Sequence, residues 1–286
     1  MFDEILSSVA KAAEEFAEYN ENDYQIGDIL YCGNCNTPKL TKIPRFIKNS
    51  SGQIVQSGET IVNCVCQCRR EREIEKEKQR KKMERVSKLR ANGIHDANIR
   101  NWNFENADKA NPKLMDKAHR YCDKWTEMHD ENIGLLLFGN VGTGKTYIAA
   151  CIANELIDRG IPVLMTNFPK ILNDLSGFKE EDKNSYINSL NEYELLIIDD
   201  LGVERQSDFA LEQVFSVIDS RYKNGQPLIV TTNLSMEDLK APASMKEKRI
   251  YDRILEMTIP IKVDGLSRRE QLHKDKLELA KELFSD

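Results

Sequence analysis

Five short apolar runs organise the second half of the chain. They are rich in Ile, Leu and Val, and they cover residues 133–138, 161–166, 195–198, 228–232 and 259–263. Runs of this length are typical of strands buried on both faces, and the intervals between them leave room for a helix. Strands that alternate with helices predict a parallel sheet. We therefore expect an α/β fold with a five-stranded parallel sheet flanked by helices.

The chain before this sheet has a different pattern. Residues 38–59 are polar, and alternating pieces such as Ile54-Val55 predict a ribbon hairpin. Residues 69–90 contain eleven Lys or Arg and five Glu but few large apolar side chains, which predicts a solvent-exposed helix. Such a helix is either a solvated connector with i,i+4 ion pairs, which we favour, or a surface that binds DNA phosphates or a partner.

Turn signals predict where the domains begin and end. Asn92-Gly93 is typical of a helix end and Asn111-Pro112 of a helix start. We place the domain boundary near residue 95. The chain then divides into an N-terminal domain (1–68), a charged helical linker (69–94) and a sheet-containing domain (95–286).

Composition narrows the class of protein only slightly. The chain has 286 residues, of which 40% are hydrophobic and 31% charged, as in an ordinary soluble protein. No apolar run approaches the length of a membrane span, and the acidic start Met1-Phe2-Asp3-Glu4 lacks the features of a secretory signal. We expect a cytoplasmic protein without a membrane partner. The formal net charge of −6 argues against a protein that coats nucleic acid.

One loop between a predicted strand and a predicted helix carries a specific motif. It matches G-x-x-x-x-G-K-[ST] and consists of Gly139, Asn140, Val141, Gly142, Thr143, Gly144, Lys145 and Thr146. In this motif the glycines let backbone N–H groups face phosphates, the lysine reaches the β- and γ-phosphates, and the hydroxyl binds Mg²⁺. The following helix, 147–157, aims its N-terminus at the same place. We predict ATP and Mg²⁺ as ligands; a glycine turn without a ligand is the alternative.

Polar side chains end two of the other strands. Asp199 and Asp200 follow the run 195–198, which would place Asp199 beside the Mg²⁺ held by Thr146 and Asp200 towards the attacking water. Asn233 follows the run 228–232, where it would hold water or the γ-phosphate. The simpler alternatives are a capped turn for the two acids and an ordinary turn residue for Asn233.

Five of the seven cysteines are clustered near the N-terminus. Cys32 and Cys35 form a C-x-x-C knuckle, and Cys64, Cys66 and Cys68 follow on alternating positions. Paired cysteines in a reducing compartment are typical of zinc ligands, and without a nearby histidine they predict a Cys₄ zinc site in a small zinc ribbon. We expect Cys32, Cys35 and two of the last three as ligands, and we favour Cys66 and Cys68, with Cys64 spare. The alternative is a set of reduced cysteines packed as small apolar side chains.

An aromatic patch precedes the nucleotide loop. Residues 102–105 read Trp-Asn-Phe-Glu. They would lie against an adenine base or, as the safer default, pack in the core.

These motifs together resemble a known family. The segments 139–146, 196–202, 231–234 and 249–253 are similar to the AAA+ ATPases of the DnaC/DnaI helicase-loader group, which also includes the IstB transposition ATPases. The resemblance covers about residues 95–270, and the cysteine-bearing N-terminal domain is similar to DnaI-like and phage DnaC-like loaders. It implies an AAA+ fold and an ATP-dependent loader whose N-terminal domain binds a hexameric DnaB-type replicative helicase. Such a loader places the helicase on single-stranded DNA at the initiation of replication.

The resemblance also implies roles for individual residues. Lys145 would bind phosphate, and Thr146 would bind Mg²⁺. Asp199 would be the metal-side carboxylate, Asp200 the catalytic carboxylate and Asn233 the first sensor. Many AAA+ enzymes have Glu at the place of Asp200, so weak, DNA-stimulated hydrolysis is expected.

Two arginines complete the implied site. Arg253 would be an arginine finger supplied across a subunit boundary, which requires self-association through the ATPase domain. Arg249, one helical turn earlier, is the alternative. The second sensor best matches Arg269, with Arg268 as the other choice.

Two further segments bear on the comparison with the family. The few residues after the last strand predict a fold without a C-terminal helical lid. The segment 168–190 corresponds to an extra helix that contacts single-stranded DNA in initiators and loaders, with Lys170, Lys179 and Lys183 as candidates. The alternative function is an IstB-like transposition helper ATPase, and a small-molecule ATPase is a third possibility.

Overall fold

The structure is a computed structural model that describes residues 20–105, 111–202, 207–265 and 267–284. The chain divides into two compact units, and the division falls between Met83 and Glu84. We call the described residues up to Met83 the cysteine unit and those from Glu84 onward the sheet unit.

The cysteine unit consists of two antiparallel hairpins and the first part of a long helix. Its strands are β1 (Tyr24–Ile26), β2 (Ile29–Tyr31), β3 (Leu40–Lys48) and β4 (Ile54–Asn63), followed by α1 (Gln67–Gly93). The hairpin β3–β4 occupies the polar interval where a ribbon was expected, with a register shift between Pro44 and Phe46. Helix α1 ends at the expected Gly93, and most of its residues are exposed, as the charged run indicated.

The sheet unit begins with the last part of α1 and contains a five-stranded sheet. Its strands are β5 (Gly134–Phe138), β6 (Val163–Asn167), β7 (Leu195–Leu201), β8 (Leu228–Thr232) and β9 (Thr258–Lys262). All pairings are parallel, and the strand order is β6-β7-β8-β5-β9. The predicted five-stranded parallel sheet is therefore confirmed.

Helices cover both faces of this sheet. They are α2 (Pro112–Asp123), α3 (Trp125–Asp130), α4 (Lys145–Asp158), α5 (Phe168–Ser176), α6 (Glu180–Leu190), α7 (Asp208–Lys223), α8 (Met236–Lys240), α9 (Met245–Met257) and α10 (Arg268–Phe284), with a short 3₁₀ helix at Ile99–Asn101. Helix α2 begins at Pro112, as the Asn-Pro signal predicted. One helix, α10, follows the last strand among the described residues.

Alternation along the strands creates two separate cores. Leu135 and Leu137 of β5 pack with α2, α3 and α4, whereas Leu136 between them packs with α5, α7 and α9 on the other face. This follows from the two-residue period of a strand. The continuous apolar runs in the sequence reflect burial on both faces. The parallel pairing places the carboxyl ends of all five strands at one edge.

A buried arginine connects two loops of the sheet unit. Arg221 of α7 is fully buried, and its guanidinium donates hydrogen bonds to the carbonyls of Tyr193 (2.7 Å), Glu194 (2.8 Å) and Pro227 (3.0 Å). Burial lowers the pKa of this guanidinium to about 9. Because buried carbonyls need donors, Arg221 stabilises the entries to β7 and β8.

Candidate functional site

The glycine-rich loop lies at the carboxyl edge of the sheet, between β5 and α4. Gly139 and Gly142 adopt φ values of +143° and +82°. A Cβ atom at Gly139 would lie 2.5 Å from the Val263 carbonyl oxygen, and one at Gly142 would lie 2.4 Å from Ser267 Oγ. Both positions therefore require glycine for the backbone angle and for the space.

The lysine of the motif lies inside this loop. Lys145 is the first residue of α4 and is 5% exposed. Its Nζ donates to the carbonyl oxygens of Gly139 (2.8 Å) and Asn140 (2.7 Å). A buried ammonium at a helix N-terminus attracts an anion, since the helix dipole and the amine act in the same direction. The donor set thus fits the phosphates of a nucleotide.

A threonine and a carboxylate lie together beside the loop. The Thr146 hydroxyl donates to Asp199, with Oγ1 at 3.0 Å from Oδ1 and 3.1 Å from Oδ2. Burial raises the pKa of the Asp199 carboxyl, as does the neighbouring Asp200, while the hydrogen bond from Thr231 lowers it. A hydroxyl and a buried carboxylate are oxygen ligands of the kind that Mg²⁺ prefers, so the residues fit a magnesium ion.

The strand β7 is distorted where its carboxylates lie. Asp200 has φ +56°, and the pairing with β8 shifts register between Ile198 and Leu201. The Thr231 hydroxyl donates to Asp199 Oδ1 (2.6 Å) and accepts from the Asp200 backbone N–H (2.9 Å). Sequence reasoning missed this role of Thr231, because the register of β7 against β8 is not visible in either strand alone. A non-glycine residue with positive φ is uncommon and is concentrated at functional sites.

The first-sensor candidate lies just beyond β8. Asn233 is exposed and follows the last residue of that strand, so it belongs to the same edge of the sheet as Asp199. Its predicted contact with water or the γ-phosphate stays a prediction.

The two finger candidates lie on α9 and differ in their contacts. Arg253 forms an ion pair with Asp219, with Nη2 at 2.8 Å from Oδ1, and its guanidinium lies 4.6 Å from the ring centroid of Tyr222. Arg249 is exposed and lies over Phe215 at 5.1 Å. Arg253 is thus held against its own chain, whereas Arg249 makes no ion pair among the described residues.

Two other groups of candidates can be located only in part. The side chains of Arg268 and Arg269 lie outside the described residues. The segment 168–190 forms α5 and α6, with the exposed Lys170 and Lys179 and with Lys183 Nζ 5.3 Å from the Phe209 ring.

The aromatic patch packs next to the nucleotide loop's helix. The Trp102 and Tyr147 rings are 5.2 Å apart, and Phe104 meets the His119 ring edge-on at 5.2 Å. Trp102 and Phe104 both contact the core of the sheet unit. This is the packing role that we took as the default; the contact with adenine stays a prediction.

Four cysteine sulfurs of the cysteine unit converge. The Sγ atoms of Cys32, Cys35, Cys66 and Cys68 all lie within 4.8 Å of one another. Cys68 Sγ is 3.6 Å from both Cys32 Sγ and Cys66 Sγ. Tetrahedral zinc with Zn–S bonds of 2.3 Å separates its sulfurs by about 3.8 Å. The four thiols that we selected from the sequence therefore fit a zinc ion in spacing and in chemistry.

Hydrogen bonds order this cluster. The Thr37 hydroxyl, 3.0 Å from Cys35 Sγ, lowers the pKa of that thiol to about 6 and also accepts from the Gln67 backbone N–H at 2.9 Å. The spare cysteine differs, since Cys64 Sγ donates to the Pro38 carbonyl (3.2 Å). The pattern of contacts thus separates Cys64 from the other four.

No helix in the described ranges is both long and apolar enough to cross a membrane.

Comparison with known sequences gives matches to a family model and to curated proteins. The family model described as "IstB-like ATP binding protein" matches residues 48–276, well over half of the chain. The replicative helicase loader DnaC of Escherichia coli K12 is 30% identical over 183 residues, which are 60% of this chain and 69% of DnaC. The replicative helicase loader DnaI of Bacillus subtilis is 25% identical over 179 residues, 58% of each protein. The chain thus spans less than two thirds of the length of DnaI.

Solved structures show the same fold. The crystal structure of DnaI superposes with a TM-score of 0.53 at 25% identity, covering 63% of this chain and 98% of that one. The crystal structure of the DnaC helicase loader gives 0.51 at 23% identity, covering 59% and 100%. The sheet and its flanking helices therefore match those of helicase loaders.

Proposed function

This chain belongs to the family of IstB-like ATP-binding proteins, and on that premise we propose that it is an ATP-dependent loader of a replicative DNA helicase. In this proposal the chain binds a hexameric DnaB-type helicase and places it on single-stranded DNA at the initiation of replication. The main support is the 30% identity to the loader DnaC, combined with an arrangement of Lys145, Thr146 and Asp199 that suits a nucleotide with its metal.

The residues of this chain would have separate roles at the nucleotide site. ATP and Mg²⁺ supply the reactive γ-phosphate and a counter-charge when bound. Lys145 and the N–H groups of the glycine loop would hold the phosphates, and Thr146 and Asp199 would hold the metal. Asp200 would accept a proton from water, and Asn233 would orient that water.

Hydrolysis in this proposal requires a second copy of the chain. The finger, Arg253 or Arg249, would enter the site of the neighbouring subunit, and Arg269 would serve as the second sensor. In the described chain the Arg253 guanidinium is paired with Asp219, so assembly would have to release that ion pair. The ATPase then acts as a switch that depends on assembly.

The cysteine unit would supply the contact with the helicase. Its hairpin β3–β4 carries large apolar side chains that are exposed, among them Phe46 at 58% and Ile54 at 70%. Apolar side chains grouped on a small exposed hairpin are typical of protein-binding surfaces. A zinc ion on Cys32, Cys35, Cys66 and Cys68 would hold this hairpin next to the start of α1.

Native mass spectrometry of the full chain mixed with the replicative helicase of its own source tests the proposal. We expect a defined complex that forms when ATP is present. Lys145→Ala removes the phosphate-binding amine, so ATP should no longer promote complex formation in that variant. Phe46→Asp should weaken the complex without changing ATP binding. Absence of any complex, with or without ATP, would exclude the loader function.

The transposition-helper alternative is not carried forward, since both curated relatives above are named as helicase loaders.

A further inference from the structure

A groove of about 640 Å³ runs along the sheet unit between α2 and the edge strand β9. Its lining includes five cationic side chains and not one Asp or Glu, although the whole chain carries a net charge of −6. The five are Lys113, Lys117, Arg120, Lys124 and Lys262. A surface with one sign of charge in an acidic protein indicates an anionic ligand.

The cations are regularly spaced along one helical face. Lys113, Lys117 and Arg120 of α2 and the adjoining Lys124 follow one another at intervals of four, three and four residues. On a helix these positions share a face and cover a length of about 16 Å. A row of that length matches an extended polyanion rather than one small anion.

Three of these cations have no counter-ion within the described ranges. Lys113, Lys117 and Arg120 are exposed, and none of them forms an ion pair or a side-chain hydrogen bond with a described residue. The other two form only exposed pairs, Lys124 with Glu127 (3.2 Å) and Lys262 with Asp264 (3.1 Å). Exposed pairs of this kind are weak and exchange readily for a phosphate.

The edge strand argues against a peptide as the occupant. The Val263 N–H donates to the Phe138 carbonyl of β5 (2.8 Å), so by alternation Pro260 and Lys262 direct their backbone away from the sheet. Pro260 has no N–H, and the middle of the free edge therefore lacks the donor that an added β-strand needs. Strand addition is blocked at this position.

The same strand provides an apolar wall opposite the cations. Ile259 is 50% exposed, and Ile261 and Pro260 also line the groove. Single-stranded nucleic acid presents phosphates on one side and unstacked bases on the other, so it can contact both walls at once. A duplex keeps its bases inside and would leave the apolar wall unused.

We propose that the groove between α2 and β9 binds the phosphodiester backbone of single-stranded nucleic acid, with the bases against Ile259 and Ile261. The proposal rests on the loader function above, because it names a DNA-contacting surface for it. The groove is separate from the earlier candidates, since Lys170 lies on α5, Lys179 immediately before α6 and Lys183 on α6.

Fluorescence anisotropy of labelled oligo-dT with the full chain, over a series of salt concentrations, tests this assignment. Lys117→Glu/Arg120→Glu should weaken binding about tenfold or more, and the slope of log affinity against log salt should fall by about 1.4 for two lost phosphate contacts. Lys117→Gln/Arg120→Gln should produce a smaller loss in the same direction. The matched control is Lys240→Glu/Lys276→Glu, two exposed lysines elsewhere in the sheet unit, which should keep the parental affinity and slope.

Other variants and a duplex separate the possible outcomes. If Lys170→Glu/Lys179→Glu abolishes binding and the groove variant does not, the groove assignment is wrong while the loader function stands. If a duplex binds more tightly than oligo-dT and loses affinity equally in the groove variant, the single-strand assignment is wrong. If the parent chain binds neither oligo-dT nor the duplex and also forms no complex with the helicase, both proposals fail.

Discussion

The two units of this protein are stabilised in different ways. The sheet unit buries whole strands on both faces, with β5, β7 and β8 almost entirely inaccessible. Among the described residues of the cysteine unit, the buried apolar residues are only Cys32 and Cys66. A small unit without a core needs another source of free energy, and four converging sulfurs indicate a metal ion. The comparison predicts that one unit depends on zinc and the other does not.

Loss of zinc should have the largest effect. We expect one zinc per chain, and Cys68→Ser should release it and unfold the cysteine unit, because structural zinc contributes on the order of 10 kcal/mol. Cys64→Ser is the matched control and should keep the metal. Zinc content and amide hydrogen exchange of residues 40–63 measure both. The fluorescence of Trp102 and Trp125, which both lie in the sheet unit, should not change. Equal zinc loss in the two variants would contradict the ligand assignment.

The sheet unit has its own core, but its ATP hydrolysis is expected to need an arginine finger from a second copy of the chain. Arg253→Ala should keep ATP binding but lower the hydrolysis rate about 10³-fold, since a finger acts only on the transition state. Asp219→Asn removes the intrachain partner that assembly would have to release, so its rate should not fall below that of the parent. Steady-state hydrolysis with DNA present measures both. A full rate in Arg253→Ala together with loss in Arg249→Ala would move the role to Arg249.

Removal of the buried arginine should destabilise the sheet unit alone. Arg221→Met leaves several buried carbonyls without donors, so the free energy of unfolding should fall by about 3 kcal/mol. Urea unfolding followed by tryptophan fluorescence measures it. Lys240→Met, an exposed change in the same unit, should fall within about 0.5 kcal/mol of the parent. A small effect of Arg221→Met would show that water replaces the guanidinium.

The buried carboxylate of Asp199 in the nucleotide site should destabilise the sheet unit. Because the pKa of Asp199 is raised, the folded state holds that proton more tightly than the unfolded state. Stability of the nucleotide-free protein therefore decreases as pH rises through the raised pKa. Asp199→Asn should remove this decrease and raise the free energy of unfolding by roughly 1 kcal/mol at neutral pH, while Mg²⁺-dependent ATP binding is lost. Thermal unfolding at several pH values would contradict this if the variant were less stable throughout.

The fold was predictable because burial on both faces leaves continuous apolar runs in the sequence. The apolar run 195–198 was expected to lead into a strand that ends with Asp199 and Asp200, and β7 continues one residue further, to Leu201. The hydrogen bond from the Asp200 N–H to the Thr231 hydroxyl keeps β7 beside β8 at this distortion, and a contact between strands is not visible in either strand alone.

Candidate site residues could be predicted where they belong to one short sequence motif. Lys145, Thr146 and the cysteines belong to short patterns with fixed spacing. Arg221 was missed because an arginine in the last turn of a helix is usually exposed. The groove was missed as well, since its cations on α2 and its apolar wall on β9 come from distant parts of the chain.

The loading of a helicase onto closed circular single-stranded DNA tests the central claim most directly. A ring cannot thread onto a closed circle without being opened. We predict that the replicative helicase becomes stably bound to the circle only when the full chain and ATP are both present, and that Lys145→Ala abolishes the effect. Helicase bound equally with and without the chain would contradict the account.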